Sequence, residues 1–225
     1  MELTPFDIAF SVLRSFLGFG FISIVFCLIT REHKHPKFTR KIYINSLLNS
    51  FGISCFTEVI YIFLSKSYLP SLNSNTSSFG AGYLLFSILI FLICYDFLTY
   101  WIHRALHLQI FYKRLHSYHH SFHPVTSGAA AAAQTMDGIL IGQVPIWGSV
   151  YILEKIGYGI SFSTVLSVLT ITGIHSLYTH SIHEHTIKSG FIIDNADHVS
   201  HHRWATCNYS SLFRFWDKAL GTYKL

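Results

Sequence analysis

The sequence predicts an all-α integral membrane protein, in which about four transmembrane or hairpin helices carry a cytoplasmic, histidine-rich helical cap. Three observations predict this fold class. Hydrophobic residues make up 51% of the 225 residues and charged residues only 12%, against about 25% charged residues in ordinary soluble domains. The apolar residues form long runs separated by short polar segments, and the mean hydropathy is +0.40. Fifteen histidines outnumber eleven acidic residues and cluster at the ends of these runs.

Apolar runs account for the predicted membrane part. The third run is the strongest, because its two dozen or so residues contain only one charge, Asp96, and are long enough to cross a hydrocarbon core of about 30 Å. The first run has a rival interpretation as a signal peptide, but it ends without a small-residue cleavage site. The last two runs are separated by a short polar break, and we expect them to form a hairpin because the first of them is short for a full crossing. The runs cover residues 6–30, 42–65, 79–102, 139–153 and 159–174.

The distribution of lysine and arginine between the connecting segments predicts the orientation. Segment 31–41 contains five Lys or Arg in eleven residues, whereas segment 66–78 contains a single Lys. We therefore expect 31–41 in the cytoplasm and 66–78 on the opposite side. The third run then delivers His103 to the cytoplasmic side, and the hairpin returns the chain to it. The basic residues form no long patch, so nucleic-acid binding is not expected.

Three histidine clusters follow the apolar segments at helical spacing. His103 and His107 are four residues apart, which puts both rings on one face of a helix. The segments HSYHH and HVSHH have i, i+3, i+4 spacing, which predicts the same convergence. They contain His116, His119, His120, His198, His201 and His202. One such pair is more often incidental than ligating, but three clusters at one membrane edge indicate a metal site.

The number of imidazoles predicts a di-metal centre in the cap, because eight exceed the four ligands of a tetrahedral zinc site. Imidazole binds iron, zinc, copper and nickel, and spacing alone does not choose among them. We interpret the nearby acids Asp96, Asp197 and Asp217 as partners that orient imidazole N–H groups. Asp96 lies two helical turns before His103, and its alternative role is a helix-end charge that reaches water.

The segments DFLTYWIHRALH, YKRLHSYHH, HVSHH and NYSSLFRFWDKALGTYKL resemble the fatty acid hydroxylase/sterol desaturase superfamily, and within it the sterol C-5 desaturases of the lathosterol oxidase type. The resemblance begins at about residue 90. It divides the chain into N-terminal membrane spans (1–89) and a catalytic domain (90–225) that includes the membrane hairpin at about 139–174.

This resemblance implies two irons, dioxygen as co-substrate, and electrons from NAD(P)H through a cytochrome b5-type donor and its reductase. It implies a sterol or other membrane lipid as substrate and the endoplasmic reticulum as the membrane. Tyr209 and Trp216 match aromatic positions of the family, where we expect them to pack against the last cluster. The implied metal ligands are His103, His107, His116, His119, His120, His183, His198, His201 and His202.

The chain departs from the sterol C-5 desaturase pattern after the second cluster. Those desaturases share a segment S-H-A-F-H-P-x-D-G, whereas this chain reads AAAAQTMDG. Ala131 and Gln134 therefore stand where histidines would, while Asp137 and Gly138 are kept. Three further histidines are candidates to compensate: His123, His180 and His185.

Several functions are compatible with these residues. The leading one is introduction of a C-5 double bond into a Δ7-sterol, and the nearest rival is hydroxylation of a fatty acyl, alkylglycerol or methyl-sterol lipid by the same centre. The residues are also compatible with an inactive relative and with a zinc-binding membrane protein. Lys113, Arg114 and Arg203 lie beside the clusters, where they could dock an acidic electron donor or contact anionic head groups.

Overall fold

The computed structural model describes residues 19–35, 39–67, 80–183 and 189–224. Within these ranges the regular structure is helical, as expected, and the β contact found there is an isolated antiparallel bridge between Ile192 and Phe213. The longer helices of the described ranges are α1 (Phe19–Ile29), α2 (Lys41–Ser67), α3 (Ala81–Leu106), α4 (Val144–Lys155), α5 (Phe162–Thr179), α6 (Asn195–Trp204) and α7 (Arg214–Ala219).

Two described helices are long and apolar enough to cross a membrane. They are α3 and the continuous helix Thr135–Lys155, of which α4 is the C-terminal part. At 1.5 Å per residue they are about 39 Å and about 31 Å long, which matches a hydrocarbon core of about 30 Å. Much of the first expected span, 6–30, and most of the segment 66–78 lie outside the described residues.

The helix Thr135–Lys155 corrects one expectation, namely that this part of the chain is short for a crossing. The apolar run begins at Ile139, but the backbone is already helical from Thr135 and continues through a π-helical turn at Ile139–Gln143. The additional six residues are TMDG before the run and Glu154–Lys155 after it, which an apolar-run criterion leaves out.

Helix α2 is polar on its packed face and apolar on its outer face. Ser46 and Asn49 are at most 3% exposed, whereas Leu48 is 63% exposed. Ser46 Oγ donates to the carbonyl of Gly128 at 2.7 Å, and Asn49 Nδ2 donates to the carbonyl of Ala131 at 2.9 Å. This is the reverse of the pattern of a soluble amphipathic helix, and it suits a helix whose outer face contacts lipid.

The main apolar core lies between α3, α4 and α5 and fixes the position of α3. Helix α5 is capped at its N-terminus by Ser161, whose Oγ accepts the backbone N–H of Thr164 at 3.1 Å and so satisfies a donor that the helix itself leaves free. The other face of α3 is exposed and carries Leu89, Ile93 and Trp101. The buried core residues are Phe91, Tyr95, Ile146, Trp147, Val150, Leu153, Ile160, Val165, Val168 and Leu212.

Candidate metal centre

Nine histidines converge into two adjacent groups at the C-terminal end of α3. Within each group, one ring nitrogen of every histidine lies within 4.8 Å of the others. The groups touch, because the rings of His120 and His202 stack with centroids 4.4 Å apart. The first group contains His103, His107, His116, His120 and His201, and the second group contains His119, His180, His198 and His202.

Four rings of the first group direct their Nε2 atoms toward a common centre. His116 Nε2 lies 3.2 Å from His103 Nε2 and 3.1 Å from His120 Nε2, and His201 Nε2 lies 3.2 Å from His120 Nε2. His103 Nδ1 donates to the carbonyl of Tyr209 at 2.8 Å, and His201 Nδ1 donates to the carbonyl of Cys207 at 2.7 Å.

These hydrogen bonds determine the tautomers of the first group. A carbonyl oxygen only accepts, so the Nδ1 atoms of His103 and His201 carry the protons and their neutral rings present a lone pair at Nε2. Lone pairs of several rings then face one another across about 3 Å within a buried space. A cation at that centre would satisfy all of them together, and the donor set therefore fits a metal ion.

The second group has the same design. His198 Nε2 lies 2.9 Å from His180 Nε2 and 3.1 Å from His202 Nε2, and His180 Nε2 lies 3.4 Å from His119 Nε2. His180 Nδ1 donates to the carbonyl of Ser176 at 2.8 Å, one turn earlier in the chain. His119 Nδ1 lies 3.3 Å from the carbonyl of Ala132.

Each three-histidine cluster contributes to both groups. In HSYHH, His116 and His120 join the first group while His119 joins the second, and in HVSHH, His198 and His202 join the second group while His201 joins the first. HVSHH lies in α6, and in an α-helix residue i+4 lies about 40° to one side of residue i and residue i+3 about 60° to the other. HSYHH instead runs from a π-helical turn that ends at His116 into a 3-10 turn that begins at His119. The expected convergence of each cluster on one face is therefore replaced by a division between two neighbouring centres.

Burial keeps the rings of the second group uncharged. Desolvation lowers the pKa of His119 to about 4 and the pKa of His180 to about 3. Both imidazoles are then neutral at pH 7, which is the protonation state that binds a metal. The same cause lowers the pKa of His198 and His202 well below the ordinary value, with the neighbouring histidines as a further cause.

The acids predicted to orient imidazole N–H groups have different hydrogen-bond partners in the structure. Asp96 accepts the backbone N–H groups of residues 211–213 at 2.7–3.0 Å, and Asp217 accepts those of residues 209 and 210, both at 2.8 Å. They hold the segment whose carbonyl at Tyr209 accepts His103, so they act on the site through the backbone. The reason is that a carboxylate at a buried turn satisfies several backbone donors at once.

Asp197 also binds groups other than imidazoles. Its backbone N–H donates to Asp194, and its carboxylate accepts the backbone N–H of Asp194, which forms a capping box at the start of α6. Arg214 donates to both acids at 2.7 Å. The pair therefore fixes the start of the helix that carries the third histidine cluster.

A carboxylate that does contact an imidazole of these groups is Asp137. His116 Nδ1 donates to Asp137 Oδ1 at 2.9 Å and lies 3.0 Å from Oδ2, and both side chains are at most 3% exposed. Asp137 lies 21 residues beyond His116 in the sequence. It belongs to the D-G pair that the segment AAAAQTMDG shares with the sterol C-5 desaturases. This shared pair was the sequence signal for Asp137, but no role was predicted for it.

His183 lies outside both groups. Its side chain is exposed, and its Nε2 donates to the carbonyl of Thr30 at 2.9 Å. The corresponding place in the second group is taken by His180, which is absent from the implied ligand set but is one of the three candidates to compensate. His123 is exposed and belongs to neither group, and His185 lies outside the described residues.

The structure also places the aromatic residues Tyr209 and Trp216 and the two positions, 131 and 134, where the chain lacks the histidines of sterol C-5 desaturases. The ring of Tyr209 packs against His107 and His201, with centroids 5.3 and 5.9 Å away. Trp216 packs on Phe97 of α3, 5.0 Å away, and not on the last cluster. Ala131 is buried, with its carbonyl accepting Asn49, and Gln134 is exposed. The two groups of the described residues are formed by nine other positions.

Comparison with known proteins agrees with this site. The chain is 31% identical over 202 residues to human (Homo sapiens) lathosterol oxidase, which covers 85% of this chain and 64% of that protein. It is 28% identical over 235 residues to a delta(7)-sterol 5(6)-desaturase of Aspergillus fumigatus, with 95% and 68% covered. A methylsterol monooxygenase of the same fungus is 32% identical over 139 residues, with 60% and 46% covered.

The chain thus spans about 64% of the length of the lathosterol oxidases that it matches. No solved structure matches it. The family model described as fatty acid hydroxylase matches residues 88–222, which include every histidine of both groups. On this evidence the chain belongs to the fatty acid hydroxylase family.

Proposed function

We propose that this protein is a membrane-bound, di-iron, dioxygen-dependent oxidoreductase that introduces the C-5 double bond into a Δ7-sterol. The observation that carries the proposal is the pair of histidine groups with their Nε2 atoms turned inward. One iron would be held by the first group and the other by the second. A di-iron centre with dioxygen supplies the oxidising power needed to remove hydrogen from an unactivated C–H bond.

The chain's own residues fix and shield such a centre. The backbone carbonyls of Tyr209 and Cys207, together with Asp137, hold three rings of the first group in one tautomer. Burial excludes water, since His116 and His201 are 2% and 1% exposed. Ligands that are oriented before the metal arrives lose little freedom on binding, which favours a stable, dry site.

The outer faces of the helices support a membrane location with a lipid substrate. Helix α3 exposes apolar side chains along its length and brings His103 to its last turn, and α2 turns its polar side inward. A sterol dissolved in the bilayer could then reach the histidine groups along apolar surfaces. We propose the endoplasmic reticulum as the membrane, with four spans, the cap in the cytoplasm, and residues 90–225 as the catalytic unit.

The overall reaction balances with an external electron donor. Desaturation removes two hydrogen atoms from adjacent sterol carbons, and dioxygen takes up these atoms, two electrons and two protons to give two waters. The electrons would come from NAD(P)H through a cytochrome b5-type carrier. Lys113, Arg114 and Arg203 are exposed cations beside the histidine clusters, and we propose that they attract its acidic surface.

Hydroxylation of a methyl-sterol is the second candidate. The similarity to a methylsterol monooxygenase favours it, as do Ala131 and Gln134 at positions where sterol C-5 desaturases carry histidines. The two outcomes differ in whether a second hydrogen leaves the neighbouring carbon, which depends on substrate placement at about the ångström scale.

Expression in yeast that lacks its sterol C-5 desaturase tests the proposal. We expect the full chain to restore 5,7-diene sterols, as measured by mass spectrometry and ultraviolet absorbance. His201→Ala should abolish the product, whereas His183→Ala, outside both groups, should retain it. A hydroxylated sterol would instead support the second candidate. Iron-loaded protein that forms neither product would overturn both.

A further inference from the structure

Glu32 is a buried carboxylate in a segment that is otherwise basic. It lies in the turn between α1 and α2, within segment 31–41, and is 1% exposed. It also lies outside residues 88–222, the part matched by the family model. Acidic side chains are almost never buried to this extent unless a specific set of partners holds them.

Four uncharged donors from residues 127, 181 and 182 bind this carboxylate. Oε2 accepts the backbone N–H and the Oγ–H of Ser127, at 2.7 and 2.6 Å. Oε1 accepts the Oγ–H of Ser181 at 2.8 Å and the backbone N–H of Ile182 at 3.1 Å. Glu32 therefore joins two segments that are more than fifty residues apart in the chain.

Both joined segments lead to the second histidine group. Ser181 directly follows His180. On its other side, Asn195 Nδ2 donates to the carbonyls of Thr179 and Ser181 at 2.9 and 2.5 Å. His180 is consequently held between Glu32 and the start of α6, which carries His198 and His202 of the second group.

Ser127, the other partner of Glu32, leads to His119. Like His180, His119 belongs to the second group but lies outside α6. Ser127 begins the 3-10 turn Ser127–Ala131. The next residue, Ala132, presents its carbonyl to His119 Nδ1. A displacement of Ser127 would therefore shift the carbonyl that orients His119. The first group has no comparable contact with Glu32 among the described residues.

We propose that Glu32 is a positioning residue for the second histidine group, through which the N-terminal part of the chain sets the metal affinity of that group. The proposal rests on the proposed function only in requiring that both groups bind metal. A carboxylate is needed because all four neighbours donate. The amide nitrogen of a glutamine would have to face at least one donor, and the backbone N–H groups cannot reverse their role.

Cobalt(II) titration of the metal-free full chain in detergent tests this inference, with the visible spectrum as readout. We expect the wild type to bind two equivalents. Glu154→Gln, a matched change in α4, should also bind two, each with the same affinity as in the wild type. Glu32→Gln should weaken one equivalent by about tenfold or more and leave the other unchanged. His180→Ala should lose the same equivalent, which identifies it, and Glu32→Gln should cause no further loss in that background.

Any other result of the titration would contradict either the positioning role of Glu32 or the metal centre. Two unchanged equivalents in Glu32→Gln, or equal weakening of both, would overturn the positioning role. Should Glu32→Gln fail to fold, Ser181→Ala removes one of the four hydrogen bonds and decides instead, since an unchanged second equivalent would also overturn it. Wild-type protein that binds fewer than two cobalt ions would refute the metal centre itself, whatever the role of Glu32.

Discussion

His116 donates a hydrogen bond from Nδ1 to Asp137 Oδ1 at 2.9 Å, and this pair links the segment HSYHH to the start of the helix Thr135–Lys155. On the other side of the ring, Nε2 faces His103 and His120. A carboxylate acceptor fixes the ring orientation and makes the ligand nitrogen more basic. The metal affinity of the first group should therefore depend on Asp137.

Asp137→Asn tests this dependence. The asparagine keeps an acceptor oxygen and the shape but loses the charge, so we expect the affinity of the first group to fall about 10- to 100-fold, while the second group is unaffected. The measurement is competition with a chelator of known affinity. Gln134→Ala, an exposed site three residues earlier, is the control, and an unchanged affinity in Asp137→Asn would show that the pair has no part in metal binding.

The structure distinguishes two neighbouring histidines that the sequence does not. His180 points its Nε2 into the second group, whereas His183 donates to a backbone carbonyl at an exposed position. We expect His180→Ala to bind one metal ion per chain and His183→Ala to bind two, as counted by elemental analysis of protein loaded with metal. The reverse result would assign the ligand role to His183.

The metal-free protein should become less stable as the pH falls below 6.5. In the folded state burial lowers the pKa of His119 to about 4 and of His180 to about 3, from 6.5. Between pH 6.5 and 4 the unfolded chain binds protons that the folded chain does not, so the free energy of unfolding rises with pH. Each of the two histidines contributes a slope of up to about 1.4 kcal/mol per pH unit.

Denaturant unfolding of the metal-free protein in detergent, at several pH values, measures this slope. His180→Ala removes the contribution of His180 and should make the slope shallower. A slope that is the same in the variant would mean that His180 is protonated equally in both states.

Helix α2 packs closely against the segment that carries Asp137. Alanine substitution of two glycines in the helix Thr135–Lys155 tests this close packing. A Cβ at Gly138 would lie 2.5 Å from Ile53 Cδ1 and 2.9 Å from the side chain of Asn49, whereas a Cβ at Gly142 has nothing within 4 Å. We expect Gly138→Ala to lower the free energy of unfolding by about 1–3 kcal/mol. Gly142→Ala should be neutral or stabilising. Equal stabilities of the two variants would contradict the close approach of α2.

The sequence identified the clustered histidines because helical spacing is a local property. The division of HVSHH between the two groups follows from the same geometry, since i+3 and i+4 lie on opposite sides of residue i in α6. The division of HSYHH depends on a π-helical turn and a 3-10 turn, which its spacing does not predict. The role of His180 was not identifiable in this way. The sequence places it among His175, His183 and His185 with nothing to distinguish it from them, and it meets His119 only because α5 ends next to HSYHH.

The acids were harder to assign, because their partners are distant in the chain. Asp96 contacts backbone groups 115 to 117 residues away, and Asp137 contacts an imidazole 21 residues away. Sequence proximity to a histidine cluster favoured Asp96, Asp197 and Asp217 over Asp137. In the folded chain these three carboxylates instead satisfy the backbone donors of a turn or a helix start, which no local pattern specifies.

The iron content of the purified full chain tests the central claim most directly. Protein from iron-supplied cells would be measured by mass spectrometry of the elements, with the protein quantified by amino-acid analysis. We predict two irons per chain in the wild type. Folded protein that contains no iron, a single iron, or zinc in place of iron would contradict a di-iron centre built from the two histidine groups.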